Sequence, residues 1–527
     1  MKIKSIYSSI GLILVIVILV LINLIANTRF DRLDLTEGKI YSLSKASKEV
    51  VSNLEEPMTV KVFASVDLPP QLNDVKRFLN DLLSDYRSYG KGHLRYEFVN
   101  PGTDEELEKE AQNYRIPPFQ VDIWSKDKRE LKKIYLGLVV LHGGEQETLP
   151  VIQSTLGLEY NITSLIKRIT SQQTMKVGFL QGHGEADPFE DMKQTLPSLQ
   201  ANYQVTTIDL TAEERIPDDV NALIINDLGS EIPDAEKLKI DQYIMRGGGV
   251  GWFFSKVTAD LQQATATAKR LMIDSWTENY GFRVNDNIVA DVQCGMVNIQ
   301  QRVGIFNMTN SINYPFFPTI HAFSKQNVVS SNLEVISIFF PSSIDTSLAG
   351  QKGIMITPLL YSSDKSLIET GRYNINATRK WNPVEFKDRR VPLAAALEGS
   401  FKSYFTDRDI PVNDENKPVM NKSDLMLQSP ENTRMVVLGD GRLFRDDFLT
   451  NPANYYLLLN TVDWLVNDTG LITLRTREVK MRPLKDISDS QKQVWKYVNW
   501  FLPPVLVVFL GLVYWQVRKN SRTREIF

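Results

Sequence analysis

The sequence predicts a mixed α/β protein held between two membrane-spanning helices, and three observations carry that expectation. Two segments, Ser5–Thr28 and Tyr497–Val517, contain no charged residue. At about 1.5 Å per residue, each can cross a hydrocarbon core of about 30 Å. Between them, short runs of strand-type apolar residues alternate with stretches of helical periodicity. The composition is globular: of 527 residues, 43% are apolar, 23% charged and 10% aromatic, which excludes a disordered, collagen-like or small disulfide-scaffold chain. With 60 basic and 63 acidic residues and a net charge of -3, no basic excess points to nucleic acid. Cys294 stands alone, so no intramolecular disulfide forms.

The chain divides in order as follows. Residues 1–4 form a short N-terminus, 5–28 the first span and 29–56 a juxtamembrane segment in which Ser44 caps a helix to about Leu54. The apolar run Ile10–Ile22 is longer than a signal-peptide core, and Leu24-Ile25-Ala26 makes a poor cleavage site. Residues 57–152 read as strand Met58–Ala64, helix Asn73–Tyr89, strand Leu94–Val99, helix Asp104–Tyr114, then strands Phe119–Trp124 and Lys133–Leu141. That order is thioredoxin-like, without the CxxC that redox chemistry needs. A linking helix lies in 153–174, around Leu158–Ile169.

Residues 175–472 predict a doubly wound, parallel α/β domain. Its elements are strand Met175–Leu180, helix Asp187–Leu199, strands Gln204–Leu210 and Ala222–Asp227, helix Ala235–Arg246, strand Val250–Phe254, strand Arg434–Asp440 and helix Asn454–Val466. A strand-rich extension at about 282–425 includes Leu333–Phe340 and Gly353–Tyr361, both read as additions to the sheet. A charged stalk, 473–496, leads to the second span, 497–517, and a basic tail, 518–527. Lys2 and Lys4 precede the first span, and Arg518, Lys519, Arg522 and Arg524 follow the second. By the positive-inside rule both termini are cytoplasmic and the body lies outside.

Few residues offer chemistry. Gly182-His183-Gly184-Glu185 follows a central strand at the end where α/β sheets place ligands. His183 could act as acid or base, with Glu185 orienting it. Asp227 and Asp440 end other strands and either line the same crevice or turn the chain. The four histidines lack metal-ligand spacing, no G-x-S-x-G elbow occurs, and Cys294 lies outside any strand-to-helix elbow. The run Gly247–Gly251 joins a helix to a strand, the reverse of a phosphate loop. The expected inventory is therefore no catalytic residue, no metal and no cofactor.

Arg32-Leu-Asp-Leu-Thr-Glu37, Tyr41-Ser-Leu-Ser44, Gly182-His-Gly-Glu185, Arg246-Gly-Gly-Gly249, Val436-Val-Leu-Gly-Asp440 and Asn460-Thr-Val-Asp-Trp464 occur in that order after an N-terminal span. The set resembles the gliding-motility GldG proteins, auxiliary components of ABC-type transport systems, over nearly the whole chain. The resemblance implies an α/β region similar to one shared with β-galactosidases and intraflagellar transport proteins and related to glutamine-amidotransferase-like domains, here without the nucleophilic cysteine. It further implies a multi-span ABC permease and a cytoplasmic ATPase subunit as partners in a bacterial inner membrane, with the lipid bilayer as the third partner; self-association stays open. The expected role is coupling or recognition beside the permease. The alternatives are a ligand-binding receptor using the crevice near His183 and Asp440, or an amidotransferase-like hydrolase.

Overall fold

The computed structural model describes residue 18, residues 42–475 except 103, 126–127, 172–173, 262, 304–305, 332, 334, 372, 413–416, 450, 452, 469, 471 and 473, and residues 489–523. The first expected span and most of the stalk lie outside the described residues. Within them the chain forms two units, one ending at Val479 and one beginning at Lys480.

The larger unit opens with α1 (Lys45–Ser52), capped by Ser44, whose hydroxyl accepts from the Ser47 amide at 3.1 Å. Then follow β1 (Met58–Ala64), α2 (Pro70–Tyr89), β2 (Leu94–Val99), α3 (Glu105–Asn113), β3 (Phe119–Ser125), β4 (Lys128–Ile134), β5 (Leu136–His142), β6 (Glu145–Leu149) and α4 (Leu158–Thr170). A four-stranded sheet runs β2-β1-β5-β6, with β1 parallel to β2 and the other pairs antiparallel. One strand assignment changes. Phe119–Ser125 pairs with Lys128–Ile134 in a separate hairpin, and the third and fourth strands of the sheet are β5 and β6. The reason is the turn. Gly143 and Gly144, with φ of 57° and 87°, close a two-residue hairpin between His142 and Glu145, a backbone that the right-handed strand twist favours and glycine adopts freely. Val60, Leu79, Leu83, Leu138 and Ile162 fill the core beneath.

The second sheet is built from β7 (Lys176–Gln181), β8 (Gln204–Asp209), β9 (Val220–Asn226), β10 (Gly249–Phe253), a long hairpin of β11 (Cys294–Val303) and β12 (Phe306–Ile320) packed beside it, β13 (Ala322–Phe323), β14 (Met355–Tyr361), β15 (Pro392–Gly399) and β16 (Thr433–Leu438). Its order is β13-β14-β15-β16-β10-β9-β7-β8. The run from β16 to β8 is parallel, and β13, β14 and β15 add antiparallel strands at one edge. Alternation along each central strand feeds two cores. Phe179, Ile224 and Val436 face one; Leu180, Leu223, Ile225 and Val437 face the other. A helix before β8, α5 (Leu196–Gln200), lends Leu199 to the first core, as does α7 (Ala453–Leu465) through Leu458 and Val462. The intervening α6 (Asp234–Met245) lends Ile240 and Ile244 to the second. A parallel sheet covered on both faces requires such continuous apolar strands.

Two further expectations change. The helix expected at Asp187–Leu199 reduces to α5, because Pro197 can enter only a helix's first turn and its ring would clash with the preceding carbonyl turn. Leu333–Phe340 does not join the large sheet. Among its described residues only Ile336–Ser337 forms a strand, pairing with β12, while Ile338, Phe339 and Phe340 are buried beyond it. The Phe339 amide finds its acceptor in the Asp440 carboxylate, 2.8 Å away, instead of in a strand ladder.

The smaller unit contains α8 (Asp489–Thr523). Its stretch Gln491–Gln516 is long and apolar enough to cross a membrane. Pro503 and Pro504 sit well inside this helix rather than in its first turn, because Ser490–Lys496 continues the helix outward.

Candidate functional site

The expected site residues come together where β7, β9, β10 and β16 end. Gly182 and Gly184 have φ of 114° and 80°, so the loop after β7 turns through conformations that suit glycine. Gly184 lies against Gly229; a Cβ on Gly229 would stand 3.1 Å from the carbonyl oxygens of His183 and Gly184. The loop after β9 is thereby stitched to the first, as the amides of Gly229 and Ser230 donate to the His183 carbonyl at 3.0 and 2.8 Å.

The His183 ring is held on both sides. Nδ1 is 3.2 Å from Glu185 Oε1 and Nε2 is 3.1 Å from Glu236 Oε2, and the Glu185 carboxylate also accepts from the His183 amide at 2.6 Å. His183, Glu185 and Glu236 are all buried. The hydrogen bond to Glu185 raises the His183 pKa, with the charges of Glu185, Glu236 and Asp209 adding to it and burial opposing. Burial raises the Glu236 carboxyl. Glu236, in the first turn of α6, was absent from the sequence-derived set. Its one signal was an acid at a helix start facing the same crevice.

Asp227 has φ of 60°, and its amide donates to Phe253 at 2.7 Å. Its carboxylate lies 3.4 Å from Lys269 Nζ and 3.2 Å from Arg445 Nη1, and the other arm of Arg445 reaches Asp191 at 3.3 Å. Arg445 thus ties together the loops after β16, β9 and β7. Asp446 adds a second tie, accepting from the amides of Lys193 and Gln194 at 2.9 and 3.0 Å.

Asp440 is fully buried. It accepts from the amides of Phe339 and Arg442 at 2.8 and 2.9 Å, and its pair with Arg442 spans 3.4 Å. Arg442 in turn donates to the carbonyls of Phe339 and Phe340 at 2.8 and 3.2 Å. Burial raises the Asp440 carboxyl despite the guanidinium beside it. The flanking glycines permit this packing: a Cβ on Gly439 would lie 1.9 Å from the Ser342 carbonyl, and one on Gly441 would lie 2.4 Å from the Asp227 backbone.

The six expected residues therefore share one region, but their polar atoms meet each other and the surrounding backbone. Cys294 opens β11, and burial pushes its thiol up. Among the described residues no group of His, Cys, Asp and Glu could hold a metal ion.

Residues 174–468 match the family described as an ABC-type uncharacterized transport system. The chain belongs to that family. It is an auxiliary transport-system component, and membership of this family implies association with ABC transporter components. Residues 37–141 match a second family, a domain of unknown function. An uncharacterized protein of Borreliella burgdorferi is 23% identical over 505 residues, covering 92% of each chain. A solved structure described as the mmIFT52 N-terminal domain aligns with 55% of this chain and 97% of its own at 13% identity and a TM-score of 0.34.

Proposed function

We propose that this ABC-system auxiliary protein is anchored in the inner membrane by two spans, with both termini cytoplasmic, and that its extracytoplasmic body couples or recognises proteins beside a multi-span permease and a cytoplasmic ATPase. In this reading the N-terminal module is thioredoxin-like, the chain is of the gliding-motility type, and it is not an enzyme. The observation that favours coupling over the receptor and hydrolase alternatives is the state of the crevice. His183, Asp227 and Asp440 are each engaged by the protein's own groups, and Arg445 bridges Asp191 and Asp227 across three loops. A crevice laced in this way joins loops into one rigid end, which suits transmission of a displacement better than capture of a solute. The β2-β1-β5-β6 order of the first sheet supports the thioredoxin-like assignment.

The test is detergent extraction of the tagged full chain from its native membrane, followed by mass spectrometry of what co-purifies. The expected result is a multi-span permease together with a nucleotide-binding subunit. Recovery of the chain without either, from cells that express both, overturns the proposal.

A further inference from the structure

The β11–β12 ribbon has one edge with no strand beside it. β11 and β12 stay in register from Met296 opposite Asn313 to Val303 opposite Phe306. Three of these pairs, Met296 with Asn313, Asn298 with Ser311 and Gln300 with Thr309, put exposed residues on one face. Val297 and Ile312, opposite each other on the other face, are half-buried. Ile336–Ser337 pairs with the base of β12, which leaves β11 at the edge of a three-stranded sheet. Along an antiparallel pair, alternate N–H and C=O groups of each strand point away from its neighbour. Among the described residues no other strand meets those of β11.

A free edge of this length is normally blunted by lysine, proline, a bulge or an inward charge. Here the one register shift lies at the root, between Cys294 and Met296. From Val292 to Ile320 the sequence carries a single charge, Arg302, in a chain of which 23% is charged. The segment's prolines, Pro315 and Pro318, both lie on β12, whose outer edge is also taken at its base by Ile336–Ser337. The edge of β11 is continuous. A two-stranded ribbon is marginal in water, and a further strand is what stabilises it. An unpaired backbone edge takes an extended strand, and an uncharged edge takes a neutral one.

We infer that β11 pairs antiparallel with β11 of a second copy of this chain, about a two-fold axis at Asn298, joining two ribbons into one sheet. In that register the strand is its own complement. Val297 lies opposite Ile299 of the second copy, Met296 opposite Gln300, Arg302 opposite Cys294, and Asn298 opposite itself. Aliphatic cross-strand pairs are favourable, and no like charges meet. An axis at Val297 sets Ile299 against Gly295, and an axis at Ile299 sets Val297 against Gln301. A half-step between residues sets the exposed face of one ribbon beside the half-buried face of the other. The contact uses the same residues on both copies, so it closes as a dimer. This inference does not rest on the coupling proposal.

The test is disulfide trapping of the full chain in its native membrane, in a Cys294→Ser background. Asn298→Cys should cross-link to twice the chain's mass on a non-reducing gel, because directly opposed Cβ atoms lie about 4.5–5.5 Å apart, near the span of a disulfide. Met296→Cys and Gln300→Cys should cross-link only when the two variants are co-expressed. Thr309→Cys, on the same face but one strand further from the edge, should not cross-link. Asn298→Lys puts like charges across the axis at an exposed position, so it should weaken self-association of the detergent-solubilised chain about fivefold in analytical ultracentrifugation. No cross-link at Asn298→Cys, an equal one at Thr309→Cys, or unchanged self-association in Asn298→Lys overturns the inference. A monomeric chain that loses a co-purifying protein on Asn298→Lys also overturns it, and gives the edge to that protein's strand.

Discussion

Asp440 illustrates how a residue placed for function by its position can be taken up by structure. It ends a central strand, where ligands bind in such sheets, yet its carboxylate neutralises Arg442 and satisfies the Phe339 amide. Asp440→Ala leaves a buried guanidinium unpaired and should cost about 3–5 kcal/mol in urea denaturation, whereas Asp440→Asn, which keeps an acceptor for Phe339, should cost less. A role confined to ligand binding would leave the denaturation midpoint unchanged. His183 makes a pH-dependent prediction. Its folded pKa is raised above the unfolded value of about 6.5. The stability it contributes is therefore fully present below about pH 6.5 and is lost as pH rises through the folded value. The stability difference between wild type and His183→Asn should be larger at pH 6 than at pH 8, and a difference that is flat or grows with pH contradicts the arrangement. At this scale the sequence brought Gly182, His183, Glu185, Asp227 and Asp440 to one place, since strand ends converge in any parallel sheet. It could not supply Glu236, Lys269 or Arg445, whose pairing depends on long-range packing and leaves no local pattern.

Elements were legible in proportion to how completely they are buried. β7, β9, β10 and β16 are covered on both faces over most of their length, and each carries a short buried apolar run, such as Ala222–Ile225 in β9 and Met435–Leu438 in β16. The β11–β12 hairpin is rich in Asn, Gln and Thr, so no apolar run marked its length. Phe340 shows the opposite failure: its strand-like apolar run follows β12 rather than the large sheet, the amides of Ile338 and Phe340 donating to the carbonyls of Pro318 and Phe316 at 3.0 and 2.9 Å, and regular strand geometry ends with φ of 49° at Phe340 itself. The Gly143-Gly144 turn was the overlooked local signal, and it gives a prediction. Nothing lies within 4 Å of a Cβ on Gly144, so any cost of substitution there comes from its φ of 87°. Gly144→Val should lose about 1–2 kcal/mol in chemical denaturation. Gly143→Asn, at a φ of 57° that asparagine tolerates, should be nearly neutral. Equal losses at both positions would mean that packing, and not backbone conformation, selects these glycines.

For the whole molecule, the two-span arrangement proposed above raises the question of what a second anchor would add. A single span tethers a body to a membrane, so a second one would restrain the distance between the chain's two ends. In α8 the prolines at 503 and 504 remove two donors from the interior of the helix, leaving the carbonyls of Asn499 and Trp500 without their usual i+4 partners. Such a helix bends locally and gains by packing against a neighbour that can meet those groups. Gly511 lies further along the same helix with no atom within 4 Å of where a Cβ would be, a small surface for close approach of a partner helix. If α8 contacts a permease there, Gly511→Leu should reduce co-purification of that partner, and replacing the whole span with an unrelated apolar helix should abolish it. The ectodomain's own denaturation transition should be unchanged in both variants, because the two chain units are separate. Full retention of the partner by both variants would reduce α8 to a tether and move assembly to the first span or to the extracytoplasmic body. Retention by Gly511→Leu alone would place the contact on the proline-bearing turn, where Pro503→Ala/Pro504→Ala should then weaken it.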